Sequence, residues 1–520
     1  MGDLRKITIL WTDDEIDLLK PHILFLEEKG YEVVTASNGE DAISLVKNRN
    51  FDLIFLDENM PGLSGLETLN QIKGINPGIP VIMITKSEEE NIMDEAIGSR
   101  IDDYLIKPVN PKQILLSIKK NLESKRLVDQ YTTSAYQSEF ARLGELINSA
   151  NHFNDWVEIY KKLTYWELEL EERSNSGLDE IILMQKSDAN IGFSRFIQKN
   201  YPRWFEEDDE NKPLMSPNIF PQKIFPKVAE NEKVCIVLID NLRLDQWKTI
   251  LPVIEGYYRL ESEELFCTIL PTATQYARNA MFAGLMPLEI ESLFPGLWID
   301  EGEKGGKNLR EDILLEKHIN RLGLKYKFKY EKVNNSRAGK RVVDHISNLL
   351  NYDFSVIVFN FVDILSHART EMEMIRELAY DEPAFRSLTL SWFQHSHLLD
   401  FIKELSANNI KLIITTDHGT IRVNNPVKVI GDRKTTPNLR YKQGKNLNYN
   451  PNDVFEVKNP EKIHLPKSHI SSTYIFASNF DFLVYPNNYN QFVNYYKNTF
   501  QHGGISMEEM IVPVSVLNPV

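Results

Sequence analysis

Cysteine is nearly absent. Cys235 and Cys267 are the two in the chain, both in apolar, strand-like stretches (KVCIVLID and ELFCTIL). That excludes a disulfide framework and a thiolate metal site. Nor does any run approach the ~20 apolar residues of a membrane span, so membrane insertion is not expected. An excess of basic charge is lacking as well. Fifty-nine Lys and Arg face 74 Asp and Glu, a formal net charge of -15, which argues against a protein that coats nucleic acid non-specifically. The opening MGDLRKITILWTDDE puts acids directly behind a short apolar run, unlike a secretory leader. These absences point to a soluble, cytoplasmic chain. At 520 residues it is too long for one core, so several domains are expected.

What is present falls into three stretches. Residues 1–122 alternate short apolar runs with amphipathic segments: KITILW, EIDLLKPHILFLEEKG, YEVVTA, GEDAISLVKNR, FDLIFLD, PVIMIT and DDYLIKP. Such alternation predicts βαβ units and a doubly wound parallel sheet, (βα)5. Functional groups gather at the carboxyl ends of these strands, which carry Asp13, Asp14, Asp57, Thr85 and Lys107. Three carboxylates at one edge repel unless a cation lies among them, and all-oxygen donors favour Mg²⁺.

This pattern resembles the receiver domain of bacterial response regulators. The resemblance implies that Asp57 is the phosphorylated residue. It makes Asp14, Asp57 and the backbone carbonyl of Asn59 the Mg²⁺ ligands, with Asp13 acting through water. Thr85 and Tyr104 become the switch pair, and Lys107 the phosphate-sensing lysine before a cis Pro108. It further implies a cognate sensor histidine kinase and a homodimer on phosphorylation. Trp11 departs from the family, which usually has a small aliphatic there.

Residues 123–205 hold almost no strand signal and show apolar residues at three- and four-residue spacings, so a helical bundle linker is expected. The charge-dense EEDDENKPLMSP marks its end. From 206 to 520 strand and helix signals alternate again. KVCIVLID ends at Asp240, SVIVFNFVD at Asp363, and IKLIITTDHG reaches Asp417 and His418. His367 follows Asp363 by four residues, and TFQHGGISMEEMIVPV supplies His502, with Gly503 and Gly504 allowing close backbone approach. Imidazole and carboxylate donors without thiolate suit Zn²⁺ or Mn²⁺ better than Ca²⁺. In CTILPTATQYARNAMFAG a Pro-punctuated turn precedes a helix, and Thr272 or Thr274 offers a hydroxyl at its positive end. Thr274 lies nearer the expected helix start; an N-cap is the bland reading of either. Arg278 and Asn279 are candidate phosphate contacts. Residues 421–446 hold seven Lys or Arg and one acid, with Arg433 and Lys434 as candidate substrate contacts on a loop attractive to polyanions.

The order Asp, Thr, Asp-x-x-x-His, Asp-His, His resembles the alkaline phosphatase superfamily, and LPTATQYARNAMFAGLMP and QHGGISMEEMIVPV are similar to its PglZ domain. The resemblance implies two zinc ions, one on Asp363, His367 and His502, the other on Asp240, Asp417 and His418. Thr274 then aligns with the nucleophile of the nucleotide phosphodiesterases. A receiver, a helical linker and a PglZ domain in one chain resemble the PorX-type response regulators. This implies a zinc-dependent phosphodiesterase acting on linear or cyclic oligonucleotides and linked to type IX secretion. The alternative expectation is a signalling adaptor whose PglZ domain binds a sigma factor or secretion-system protein with little turnover.

Overall fold

The computed structural model describes the chain apart from residues 1–5, 77, 87–100, 172–177, 207–210, 231, 300–305, 433–434, 468 and 470. It folds as two compact units, Met1–Gln137 and Ser138–Val520.

The first unit is the expected parallel sheet. Its strands are β1 (Thr8–Thr12), β2 (Glu32–Ala36), β3 (Leu53–Asp57), β4 (Val81–Thr85) and β5 (Asp103–Ile106). They lie in the order β2-β1-β3-β4-β5, all neighbours parallel. Strand alternation sends side chains to opposite faces, so each face has a core. Leu10, Ile54, Leu56 and Met83 pack with the helices Gly39–Asn48 and Gly65–Ile75. Ile9, Trp11, Phe55 and Ile84 pack with Leu26, Ile114 and Ile118 on the other side. The helix Gly65–Ile75 is started by a capping box between Ser64 and Glu67, which satisfies two otherwise unpaired N–H groups.

The second unit is built on a six-stranded sheet. To β6 (Val234–Ile239), β7 (Tyr258–Cys267), β8 (Phe328–Val333), β9 (Phe354–Phe359) and β10 (Lys411–Thr415) it adds the C-terminal strand Ile511–Pro519. β10, β6, β9 and β8 run parallel, side by side. The C-terminal strand runs antiparallel between β10 and β7. The carboxyl ends of β6, β9 and β10 therefore share one edge. One expectation needs correcting: β9 stops at Phe359, and Asp363 lies in the first turn of the helix Phe361–Glu371. There an acid favours the helix dipole, and Asp363 and His367 fall at i and i+4 on one helix face.

The helices Phe153–Glu171 and Asp179–Asn200 pack within this second unit. A buried charge network joins them to the helices Leu244–Ile254, Glu382–His395 and Met507–Met510. Arg386 reaches Asp245 at 2.8 Å and Glu167 at 2.9 Å, and also pairs with Glu171. Lys186 reaches Glu167 at 2.7 Å and Glu508 at 3.5 Å. Asn190 clasps Glu508 and the Met507 amide at 2.9 and 2.8 Å.

Among the described residues Lys442 is a buried cation without such a pairing. Lys442 donates to the Thr436 carbonyl at 3.1 Å and lies over the Tyr485 ring, and burial pulls its amine down to about 7 from 10.5. The unfolded chain binds the extra proton between those two values, so this residue's cost is complete below pH 7 and disappears as pH rises to 10.5. Lys442→Met is expected to raise stability on the order of 3 kcal/mol near neutral pH. Urea midpoints of the two proteins should differ at about pH 6 and converge at about pH 10.

Candidate functional site

In the first unit, the loop after β1 and the last residue of β3 bring Asp13, Asp14 and Asp57 together, with one carboxylate oxygen of each within 4.8 Å of the others. Lys107 Nζ lies 2.8 Å from Asp13 and 3.0 Å from Asp57. Burial pushes the Asp57 carboxyl up to about 6 against the pull of Lys107, with Asp13 and Asp14 adding repulsion. Thr85 closes β4 and donates its hydroxyl to Glu58. Tyr104 is half-buried on β5, Asn59 is exposed after β3, and the peptide before Pro108 is cis. Trp11 is fully buried against Phe55 and His22 and displaces none of the acids. Three hard oxygen donors beside one lysine fit Mg²⁺.

At the sheet edge of the second unit, all six expected ligands converge as two triads. Asp363, His367 and His502 form one, Asp240, Asp417 and His418 the other, each within 4.8 Å among its donor atoms. His367 Nε2 and His502 Nε2 lie 3.5 and 3.7 Å from Asp363 Oδ1. His418 Nε2 lies 3.8 Å from Asp240 and 3.7 Å from Asp417. The His418 and His502 rings stack at 4.4 Å, which joins the triads. Carbonyl partners set both tautomers: Nδ1 of His502 donates to the Thr272 carbonyl at 3.1 Å, and Nδ1 of His418 to that of Gly419 at 3.1 Å. Each ring thereby turns a bare Nε2 toward the carboxylates. The side chain of His367 is 59% exposed, so the cluster opens to solvent there.

Burial pushes Asp240 and Asp363 up, Asp363 to about 6 with Asp240 adding repulsion. Asp417 goes the other way, because Arg278 and His418 outweigh its burial. Burial and the neighbouring histidines hold His502 well below its usual range, hence neutral, as a ligand must be. Imidazole nitrogens and gathered carboxylates, three donors to each triad, fit a pair of transition-metal ions.

The two threonines separate. Thr274 is the first residue of the helix Thr274–Ala283, and Ala273 occupies the cap position, so it is no N-cap. Its hydroxyl lies 3.4 Å from Asp240 and 3.2 Å from His418 Nε2. Thr272 is fully buried, donates to the Gly504 carbonyl at 3.0 Å and accepts from Gly503 N at 2.9 Å. It anchors the loop that carries His502, and Thr274 alone faces the triads. Gly503 has φ 121°, and a Cβ on Gly504 would lie 2.5 Å from the Ala477 carbonyl, so close approach does require glycine here.

Two expected substrate contacts are placed elsewhere. Arg278 is fully buried, with its fork on Asp240, on Asp417 at 3.0 Å and on Glu311 at 3.4 Å. It holds the triad carboxylates in place and faces no solvent. Asn279 is buried and ties down the Lys307 carbonyl at 3.1 Å. Arg433 and Lys434 lie outside the described residues. The basic loop is also thinner than its count suggests: Arg440 is buried on Glu509 at 2.6 Å, and Lys442 is buried too.

Sequence reasoning missed Asn241 and Glu509. Asn241, at φ 65°, bridges the triads, with its amide 3.4 Å from Asp363 and its backbone N–H 3.4 Å from Asp417. An Asn directly after a strand-end Asp is the available signal, since Asn tolerates the left-handed region. Glu509 is fully buried and accepts from Gly504 N at 2.8 Å and from Ser506 at 2.7 Å. Ser506-x-x-Glu509 is a capping-box spacing visible in the sequence.

Residues 219–517 match the family model of the BREX system PglZ alkaline phosphatase-like domain, residues 126–205 the PorX response regulator linker domain, and residues 9–119 the response regulator receiver domain. These define a response regulator whose effector is an alkaline phosphatase-like α/β domain. The chain belongs to the PglZ alkaline phosphatase-like family and has the three-part layout of a PorX-type regulator. Response regulator receiver domains are phosphorylated by a sensor kinase. The transcriptional regulatory protein ZraR of Klebsiella oxytoca is 34% identical over 141 residues, covering 27% of this chain and 32% of that protein. ResD of Bacillus subtilis (strain 168) is 34% identical over 119 residues, covering 23% and 49%. The chain thus spans a third to a half of the length of these curated relatives. A CheY-like receiver domain structure from Methanospirillum hungatei JF-1 is 30% identical and covers 23% of this chain and 95% of its own, with a TM-score of 0.22. No described helix is long and apolar enough to cross a membrane.

Proposed function

We propose that this chain is a phosphorylation-controlled, zinc-dependent phosphodiesterase acting on linear or cyclic oligonucleotides in the cytoplasm. The placement of the Thr274 hydroxyl, within 3.4 Å of Asp240 and beside His418, is the observation that carries this reading. Asp240, Asp417 and His418 would hold one ion, and Asp363, His367 and His502 the other. Bound there, the ions supply Lewis acidity to a hydroxyl and to the phosphoryl oxygens. Thr274 Oγ is poised to attack phosphorus, losing its proton as the P–O bond to one nucleoside breaks and that nucleoside leaves as an alcohol; the remaining nucleotidyl group stays on Thr274 until water displaces it as the free phosphate ester and restores the hydroxyl. Arg278 and Asn241 keep the carboxylates in register, and Glu509 fixes the loop of His502. In the receiver, Asp57 accepts phosphate from a sensor histidine kinase, with Mg²⁺ on Asp14, Asp57 and the Asn59 carbonyl, and the phosphorylated chain dimerises. The PorX-type layout supports a link to type IX secretion.

Metal analysis is the direct test. The purified chain is expected to carry about two transition-metal ions and to hydrolyse bis-p-nitrophenyl phosphate, and His502→Ala is expected to lose one ion and at least ~100-fold in rate. Metal without turnover in the wild type would sink the enzymatic reading and favour the adaptor.

A further inference from the structure

Beyond the triads, the same helix ends in a cluster of arginines that the reaction does not use. Arg369 is buried over the Phe500 ring and donates to the Ala379 carbonyl and, at 3.1 Å, to that of Tyr380. Arg422 donates to the same Tyr380 carbonyl at 2.9 Å. Arg376 donates to the Thr370 carbonyl at 2.7 Å and stacks over Tyr495. Three guanidiniums thus converge on a few neutral carbonyls.

Among the described residues none of the three makes a salt bridge with a carboxylate. The acids close enough to act on Arg369 are engaged: Glu382 pairs with Arg243 at 2.6 Å, and Asp381 caps Ala384 at 2.9 Å. The Nε donors of Arg376 and Arg422 are buried without a hydrogen-bond partner. An unmet donor on a cation is costly, so such an arrangement persists where an anion is expected.

Its place in the fold says which anion. Arg422 pairs with Phe500, two residues before His502, roughly 7 Å along the strand. Gln501, beside His502, reaches Thr370 at 3.4 Å, and His367, on the helix of Arg369, marks the open side of the metal cluster. Successive phosphates of a single strand are a comparable distance apart. The exposed rings of Tyr380 and Tyr495 add surfaces on which bases stack.

We propose that Arg376 and Arg422, backed by Arg369, form a second phosphate subsite that holds the phosphate next to the phosphodiester being cleaved. The subsite selects single-stranded oligonucleotides over substrates with a single phosphate. The assignment rests on the phosphodiesterase reading of the triads.

The test compares kcat/KM for a 5′-phosphorylated diadenylate with that for bis-p-nitrophenyl phosphate, which has one phosphate. In Arg376→Gln and Arg422→Gln the ratio of the two is expected to fall roughly tenfold per arginine, the scale of a charge-assisted hydrogen bond. General damage to the fold would lower both rates and leave the ratio alone. Binding of fluorescent diadenylate to Thr274→Val should depend on salt, with a slope shallower by about 0.7 for each phosphate contact removed. An unchanged ratio and an unchanged slope would overturn the subsite while leaving the phosphodiesterase intact. If the wild type cleaves neither compound, the enzymatic reading fails, and equal diadenylate affinity with and without the two arginines then overturns the subsite as well.

Discussion

Thr274→Val is expected to lower hydrolysis of bis-p-nitrophenyl phosphate by at least ~10³-fold, because the hydroxyl proposed to attack phosphorus is removed and nothing else near it changes shape. Valine is isosteric with threonine, and residue 274 sits in the first helical turn without capping it, so the helix is not disturbed. Metal content should stay at the wild-type level. Thr272→Val has a different signature. It breaks the bonds to Gly503 and Gly504, which costs about 1–3 kcal/mol of stability and loosens His502. Denaturation midpoints, metal content and steady-state rates on both variants separate the two roles. A Thr274→Val protein that retains wild-type turnover would exclude this residue as nucleophile.

The second large effect is on stability. Arg386→Met is expected to destabilise the second unit by about 3–5 kcal/mol, since it strips a buried cation from acids that stay buried. Asp245 keeps Arg243 at 2.6 Å and Glu167 keeps Lys186 at 2.7 Å, but Glu171 loses its partner. Burial pushes the Glu167 carboxyl up, yet Lys186 and Arg386 bring it down to about 2 from 4.5. A carboxylate so depressed stabilises the fold above pH 4.5 and loses that contribution as pH falls toward 2. In Arg386→Met the acids accept protons at higher pH, so its deficit should be largest near neutrality and shrink on mild acidification. Denaturation midpoints at about pH 7 and about pH 5 check this. An equal deficit at both would mean that lost packing, not charge, dominates.

Both sheets were legible in the sequence because strand periodicity and strand-end acids are local signals. Asp240, Asp417 and His418 lie where their apolar runs end, and the i, i+4 spacing of Asp363 and His367 survives their moving from a strand end to a helix. Other features depend on distant partners. The C-terminal strand reads as a strand but not as antiparallel, since its direction is set by its neighbours β10 and β7. Arg278 and Asn279 carry the side chains of phosphate contacts, and only their burial reveals that carboxylates and a backbone carbonyl already occupy them. Arg440 and Lys442 belong to a basic count that suggests an exposed surface, yet both are inside. The arginine cluster is spread over residues 369, 376 and 422, with no spacing that would unite it.

Asn190 grips residues 507 and 508 across 317 and 318 positions of sequence, and this bears on how such proteins are assembled by recombination. A cut at residue 206 would strip Arg386 of Glu167 and Glu171 and leave Glu508 without Lys186 and Asn190. A portable cassette therefore includes the helices Phe153–Glu171 and Asp179–Asn200. An alkaline phosphatase-like domain transplanted without those helices would arrive with its floor missing.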